Sequence, residues 1–422
     1  MSAVAVAIAG LVALAVAMGI GRFAFTPILP MMLRDGVVDL HAASWLASAN
    51  YLGYLSGAIL CTLQPRIWVQ LPRLPVVDAP TMTRTGLALT MLLTLGMALP
   101  TPALWPVLRF AAGIASALVF VYSSAWCLTQ IAARGEAALG GLMFAGPGIG
   151  IVASGLLASV MVALQWTASA AWVVFAALAL ILSAAVWRIF PPGVGRAKTA
   201  GEPSTAGSGV KPASSVDEGA AMSHSRAEVA TLAFAYGLAG FGYIVTATFL
   251  PVIARAALPG SAWLDLFWPI FGAGVILGAL LATRVRVSGD LRLVLAVAYV
   301  IQAVGIGIGL FAPTTAGFAL GSFLLGLPFT AITYFAMQEV RRLRPLHLPG
   351  TTGLVTATWS LGQTLGPPMV AVLLGRIADV GAAFSLSLVI AAGALLFGAI
   401  VFFAASRLWP NAPSPPFRAA AG

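Results

Sequence analysis

Apolar runs of about twenty residues follow one another along nearly the whole chain, and charges hardly interrupt them. A helix rising 1.5 Å per residue needs roughly 20 apolar residues to cross the ~30 Å hydrocarbon layer of a bilayer, so each run is long enough to span it. Taking charged residues and Pro/Gly clusters as punctuation yields twelve segments: 3–33, 43–63, 85–101, 103–130, 137–163, 167–189, 228–254, 261–283, 291–312, 315–339, 351–374 and 383–406. Of the 422 residues 60% are hydrophobic and only 8% charged, which excludes both an ordinary soluble domain and a disordered chain. The first twenty residues lack the positive flank of a secretory signal and lead into more apolar sequence, so they count as the first span. The fold class read from these runs is an all-α polytopic membrane protein with twelve transmembrane helices, its apolar faces covered by lipid.

The segments fall as six, a break, and six. Residues 1–190 form an N-terminal six-helix bundle and 227–408 a C-terminal one. Between them 191–226 is rich in Pro, Gly, Ser and Ala, carries both lysines, Lys198 and Lys211, and reads as a flexible linker; 409–422 is a tail. With the N-terminus inside, seventeen basic residues fall in cytoplasmic segments and only Arg34, Arg255 and Arg376 outside. That asymmetry predicts cytoplasmic termini and a cytoplasmic linker. The net charge of +10 is therefore topological, and with no basic run interleaved with aromatics it does not point to nucleic acid. Cys61 and Cys127, both within apolar runs, are too few for a disulfide framework or a metal set and read as packing residues; no cofactor is expected.

The halves echo each other. At an offset of 221, GIGRFAFTPILP (19–30) lies over GFGYIVTATFLP (240–251) and LGYLSGAILCT (52–62) over AGVILGALLAT (273–283), matching Gly53 with Gly274 and Gly57 with Gly278. Weaker echoes at 213 and 212 pair Gly113 with Gly326 and 141–150 with 353–362. Gly/Ala-rich helices resemble one another by chance, but a constant offset through a helix, its loop and the next helix favours duplication, a design common in transporters.

Several motifs resemble the major facilitator superfamily, in particular its YbfB/YjiJ-type branch. They are Gly19-Ile20-Gly21-Arg22-Phe23-Ala24-Phe25-Thr26-Pro27, then Trp45 with Asn50-Tyr51-Leu52-Gly53-Tyr54, and Arg109-Phe110-Ala111-Ala112-Gly113 in the fourth segment. Gly146-Pro147-Gly148-Ile149-Gly150 resembles an element of proton-linked antiporters, with Ile151 in place of its second Gly. The loop from Gln64-Pro65-Arg66 departs from the superfamily's acidic pattern. The resemblance implies two six-helix halves about a pseudo-twofold axis, a cavity lined by helices 1, 4, 7 and 10, and a multi-pass carrier of the bacterial inner membrane. It names no substrate.

Arg22 and Arg109 are the charges lying well inside spans, each costing roughly 2.5–3.5 kcal/mol at a helix centre. Both are expected at similar depth in the outer half, and no Asp or Glu lies mid-span to neutralise them. Two such groups facing one cavity suit an anion, which a guanidinium holds through parallel hydrogen bonds. The alternative is that each satisfies carbonyls freed by Pro and Gly, or snorkels to the interface. Phe25 follows Arg22 on the same segment, and a 3.6-residue step from Arg109 adds Ser116 and Phe120. The seventh segment offers Tyr236 and Tyr243, the latter at the repeat position of Arg22. Thr330, Tyr334, Asn50, Trp359 and Gln363 complete the candidate set, each equally well explained by packing or interhelical hydrogen bonds.

The function expected is secondary active transport of a small organic solute by alternating access in a monomer, with an anion as the cargo the arginines favour and protons as the coupling ion. The alternative is a proton-linked efflux antiporter of cationic or neutral compounds. A channel or an intramembrane enzyme is remoter: no ring of charge, no G-x-S-x-G and no buried His or acid set is present.

Overall fold

The computed structural model describes residues 1–70, 77–136, 139–192, 218–261, 263–284, 289–343 and 348–410. Most of the predicted linker, the tail beyond 410, and the loop residues Arg73, Arg286 and Arg344 lie outside the described residues. Helix accounts for all regular structure among those described.

The first predicted span is α1 (Ala3–Leu14), a π-helical stretch (Ala15–Ile20), a turn, and α2 (Phe25–Arg34). The following spans are α3 (Leu40–Gln70), α4 (Ala79–Gly96) and α5 (Trp105–Ala132), then the short α6 (Gly140–Met143) leading into α7 (Gly146–Ala163), and α8 (Ala168–Trp187). The second half contains α9 (Glu218–Ala257), α10 (Phe267–Arg284) and α11 (Leu291–Phe311). It continues through α12 (Thr315–Gly326) and α13 (Phe329–Leu343), then α14 (Leu348–Arg376) and α15 (Val380–Leu408). Helices thus occupy all twelve predicted segments, and among the described residues ten stretches are long and apolar enough to cross a membrane by length and composition. The other two are α4 and α14, whose hydropathy is lowered by Arg84 and threonines such as Thr90 and Thr94 in the first, and by Ser360, Gln363 and Thr364 in the second.

Boundaries follow caps more than apolar content. α4 begins six residues before the expected position because the Asp78 carboxylate accepts from the Thr81 amide and Pro80 suits the first turn. Thr167, Asp290, Thr314 and Asp379 cap α8, α11, α12 and α15 in the same way. The tenth predicted segment is divided between α12 and α13 at Pro328, which has no amide to continue the ladder.

Close packing explains the repeated glycines. A Cβ at Gly113 would meet the carbonyl of Asn50, and one at Gly326 the carbonyl of Phe271; Asn50 and Phe271 are themselves separated by the offset of 221. Gly53 likewise faces the Phe110 carbonyl as Gly274 faces that of Phe323. The α3–α5 crossing in one half and the α10–α12 crossing in the other are therefore the same backbone approach, which small residues permit in a membrane where apolar burial supplies little drive.

Beside the start of α11 the C-terminal half is tied by charge. Arg292, 2% exposed, donates to Asp290, Glu228 and the carbonyls of Ala405 and Trp409. Arg342 joins Glu228 to Glu339, the one fully buried carboxylate among the described residues. In the other half Arg84 ties α4 to the end of α8, donating to the Trp187 carbonyl at 2.7 Å.

Candidate substrate site

The site begins with the interruption of the first span. Gly21 and Phe23 donate to Val16 and Met18, five residues back, which widens the helix. Pro27 then has no amide to offer the carbonyl of Phe23. The carbonyls of Gly21 and Arg22 are taken instead by Arg109, whose two terminal nitrogens donate to them at 3.3 and 3.2 Å. Asn50 donates to the Arg109 carbonyl at 2.9 Å and Ser116 to the Ala17 carbonyl at 2.7 Å, so α3, α5 and the broken helix are stitched together. Phe25 covers the Arg109 guanidinium from 4.8 Å.

Arg22 points elsewhere. It is 2% exposed, lies 4.0 Å from the centre of the Tyr54 ring, and donates through Nη2 to Gln363 Oε1 at 2.9 Å. The amide nitrogen of Gln363 donates to the Tyr243 hydroxyl. Tyr243 stacks on Trp359 with centroids 5.3 Å apart, Trp359 lies 4.6 Å from Tyr236, and Phe329 meets the Tyr243 ring edge-on at 4.9 Å. The Nε atoms of both arginines and Oδ1 of Asn50 are buried without a hydrogen-bond partner, and among the described residues no carboxylate forms an ion pair with either arginine.

Eight of the twelve sequence candidates therefore meet around one point where the halves face each other: Arg22, Phe25, Asn50, Arg109, Ser116, Tyr243, Trp359 and Gln363. Tyr236 joins through Trp359 and bonds Thr333 at 3.0 Å. Phe120 touches the group through Tyr54, at 6.4 Å between centroids. Thr330 instead donates to the Val275 carbonyl at 3.3 Å, and Tyr334, 36% exposed, pairs with Phe335, so neither contacts Arg22, Arg109 or Gln363. Sequence reasoning left out Tyr51, Tyr54 and Phe329. The two tyrosines belong to the Asn50–Tyr54 motif, about one helical turn from each other, with Tyr54 also one turn from Asn50, and that spacing is the available signal.

The halves are joined across this region by five hydrogen bonds among the described residues. Besides Arg22 to Gln363, Thr26 donates to the Ala247 carbonyl at 3.0 Å and Ser48 to the Thr364 carbonyl at 2.9 Å. Tyr51 and Thr248 share a bond of 2.9 Å, and Ser159 donates to the Asp265 carbonyl at 3.1 Å. All of them lie between the bundle's middle and the end where α2 stops and α3 starts.

An all-helical bundle with ten stretches long and apolar enough to cross a membrane among the described residues defines the class as a multi-pass membrane protein. The chain belongs to the family described as uncharacterised MFS-type transporters of the YbfB type, whose model matches residues 14–403. The fold is also that of the nucleoside transporter NupG. A crystal structure of an aspartate-to-alanine mutant of NupG superposes with a TM-score of 0.71 at 14% identity, covering 95% of this chain and 99% of that one. A second NupG structure gives 0.66 at 15% identity, covering 96% and 99%. No curated protein matches the chain. The family and fold are those of transporters, which carry a small-molecule substrate.

Proposed function

We propose that this carrier moves a small organic anion, a carboxylate, by alternating access across the bacterial inner membrane, with Arg22 as the group that holds the charge. The observation that carries the reading is a buried guanidinium whose Nε has no hydrogen-bond partner, whose terminal nitrogens meet only the neutral Gln363 amide oxygen and the Met18 thioether, and which forms no ion pair with an acid among the described residues. A buried cation in that condition is costly, and a carboxylate relieves the cost with two short charge-assisted bonds. Arg109 has a different part: with both terminal nitrogens spent on carbonyls, it holds the broken helix in the shape that presents Arg22. The rings of Tyr54, Tyr243 and Trp359 form the apolar surroundings of the cargo.

Both termini and the 191–226 linker are cytoplasmic in this reading, so the five inter-half bonds close the outer side, and the halves rock about the site to open it. Protons are the coupling ion, a reading supported by the Gly146–Gly150 element.

The test is uptake into proteoliposomes of labelled benzoate, of uridine (the cargo class named for the fold neighbours) and of a cationic dye, with and without a protonophore. Arg22-dependent benzoate uptake that falls when the proton gradient is collapsed is expected. Transport of uridine or the dye with none of benzoate overturns the reading, and accumulation indifferent to the protonophore removes proton coupling.

A further inference from the structure

We infer that Gln363 is an internal stand-in for the carboxylate of the cargo, occupying the guanidinium of Arg22 until the anion takes its place; the inference rests on the anion reading above. A side-chain amide offers a guanidinium one sp² oxygen where a carboxylate offers two, both charged. Gln363 Oε1 sits 2.9 Å from Arg22 Nη2, and Arg22 Nε is buried with no hydrogen-bond partner. The seat for a two-pronged acceptor is thus half filled by a one-pronged neutral one.

Gln363 is held there. Next to it Gly362 lets α14 lie against the carbonyl of Gly237 and the amide of Phe241 on α9, an approach a Cβ would prevent. Trp359, one turn earlier, stacks on Tyr243, and Tyr243 accepts from the Gln363 amide nitrogen. The amide therefore cannot follow Arg22 if the arginine turns to a ligand.

The position gives the exchange a consequence. Among the five hydrogen bonds between the halves, Arg22 to Gln363 is the one with a charged donor; the other four use Ser, Thr or Tyr hydroxyls. An anion that captures Arg22 removes this bond, so binding and loosening of the halves become one event. The cargo has differential affinity for the loosened state, which is what a ligand needs to shift a conformational equilibrium. Gln363 is then a positioning residue that sets both affinity and the response to binding.

The experiment is a benzoate titration of the purified full-length carrier, reading affinity and melting temperature for wild type, Gln363→Leu, Gln363→Glu and Arg22→Gln. Removing the internal competitor in Gln363→Leu is expected to tighten benzoate binding about tenfold, the order of one charge-assisted hydrogen bond. Gln363→Glu sets a tethered carboxylate on Arg22, and it is expected to abolish benzoate binding while the protein melts no lower than wild type. An amide with a purely structural role would weaken binding in both variants, and that result, or unchanged affinity in Gln363→Leu, overturns the inference. Gln363→Met, which keeps length without the carbonyl, carries the same expectation if the leucine variant does not fold. Wild type that binds no benzoate, or binds it as Arg22→Gln does, overturns the anion reading and this inference together.

Discussion

Arg109 grips the main chain of Arg22, its Nη2 3.2 Å from the Arg22 carbonyl, and leaves the Arg22 side chain to bond across to the other half. Two arginines that look alike in sequence thus divide into a brace and a presented charge.

The division has separable consequences. Arg109→Ala strands the carbonyls of Gly21 and Arg22 in a buried site, where each unsatisfied acceptor costs about 1–3 kcal/mol. A drop in melting temperature with poor recovery from the membrane is expected, and Arg109→Lys is expected to rescue only part of it, since an ammonium lacks the fork that reaches two carbonyls. Thermal unfolding in detergent checks this, and an Arg109→Ala protein as stable as wild type would count against the brace.

The glycine approaches are expected to be equivalent in the two halves. Gly113→Val and Gly326→Val each drive a side chain into a carbonyl, of Asn50 and Phe271 respectively. Each is expected to destabilise by roughly 1–3 kcal/mol, the usual scale of overpacking. Gly393, inside α15 with open space around it, is the control: Gly393→Ala is expected not to lower the melting temperature. Chemical unfolding of the three variants side by side supplies the measurement.

The inter-half bonds predict a reversible block. Ser48 reaches the Thr364 carbonyl, so cysteines at both positions, Ser48→Cys with Thr364→Cys, are expected to cross-link under oxidation. Transport is expected to stop and to return on reduction. Full transport by the cross-linked protein would show that this end need not open.

Acid is expected to loosen the C-terminal half through Asp290. Burial raises its carboxyl pKa, but the bonds from the Arg292 side chain and amide outweigh burial and hold the pKa below its ordinary 3.8. The unfolded chain therefore binds the proton more readily. The stability Asp290 contributes is complete above pH ~4 and is lost as pH falls through the depressed folded value. Melting temperature against pH should decline less steeply on the acid side for Asp290→Asn than for wild type.

The order of helices was readable because lipid demands long apolar runs, and the duplication because Gly53, Gly57 and Gly113 recur where the same backbone approach recurs. The depth shared by Arg22 and Arg109 was also accessible, since residue number measures height along a helix. What each guanidinium touches was not. Gln363 lies 341 positions from Arg22, and its partnership depends on how two halves dock, which no local pattern encodes. The π-helical widening before Arg22 was hidden for a related reason: Gly19, Gly21 and Pro27 announce a weak point, while Arg109 and Ser116 on another helix fix its form. Glu339 ends the tenth predicted segment, where nothing local marks it as buried; Arg292 and Arg342 close over it.

Exchange of labelled benzoate for unlabelled benzoate in proteoliposomes, with wild type, Arg22→Lys and Arg22→Gln reconstituted at equal density, tests the anion site most directly. A lysine that keeps a reduced rate beside a glutamine that loses it by at least about tenfold, the scale of a charge-assisted bond, is the predicted result. Arg22→Gln exchanging benzoate at the wild-type rate would contradict it.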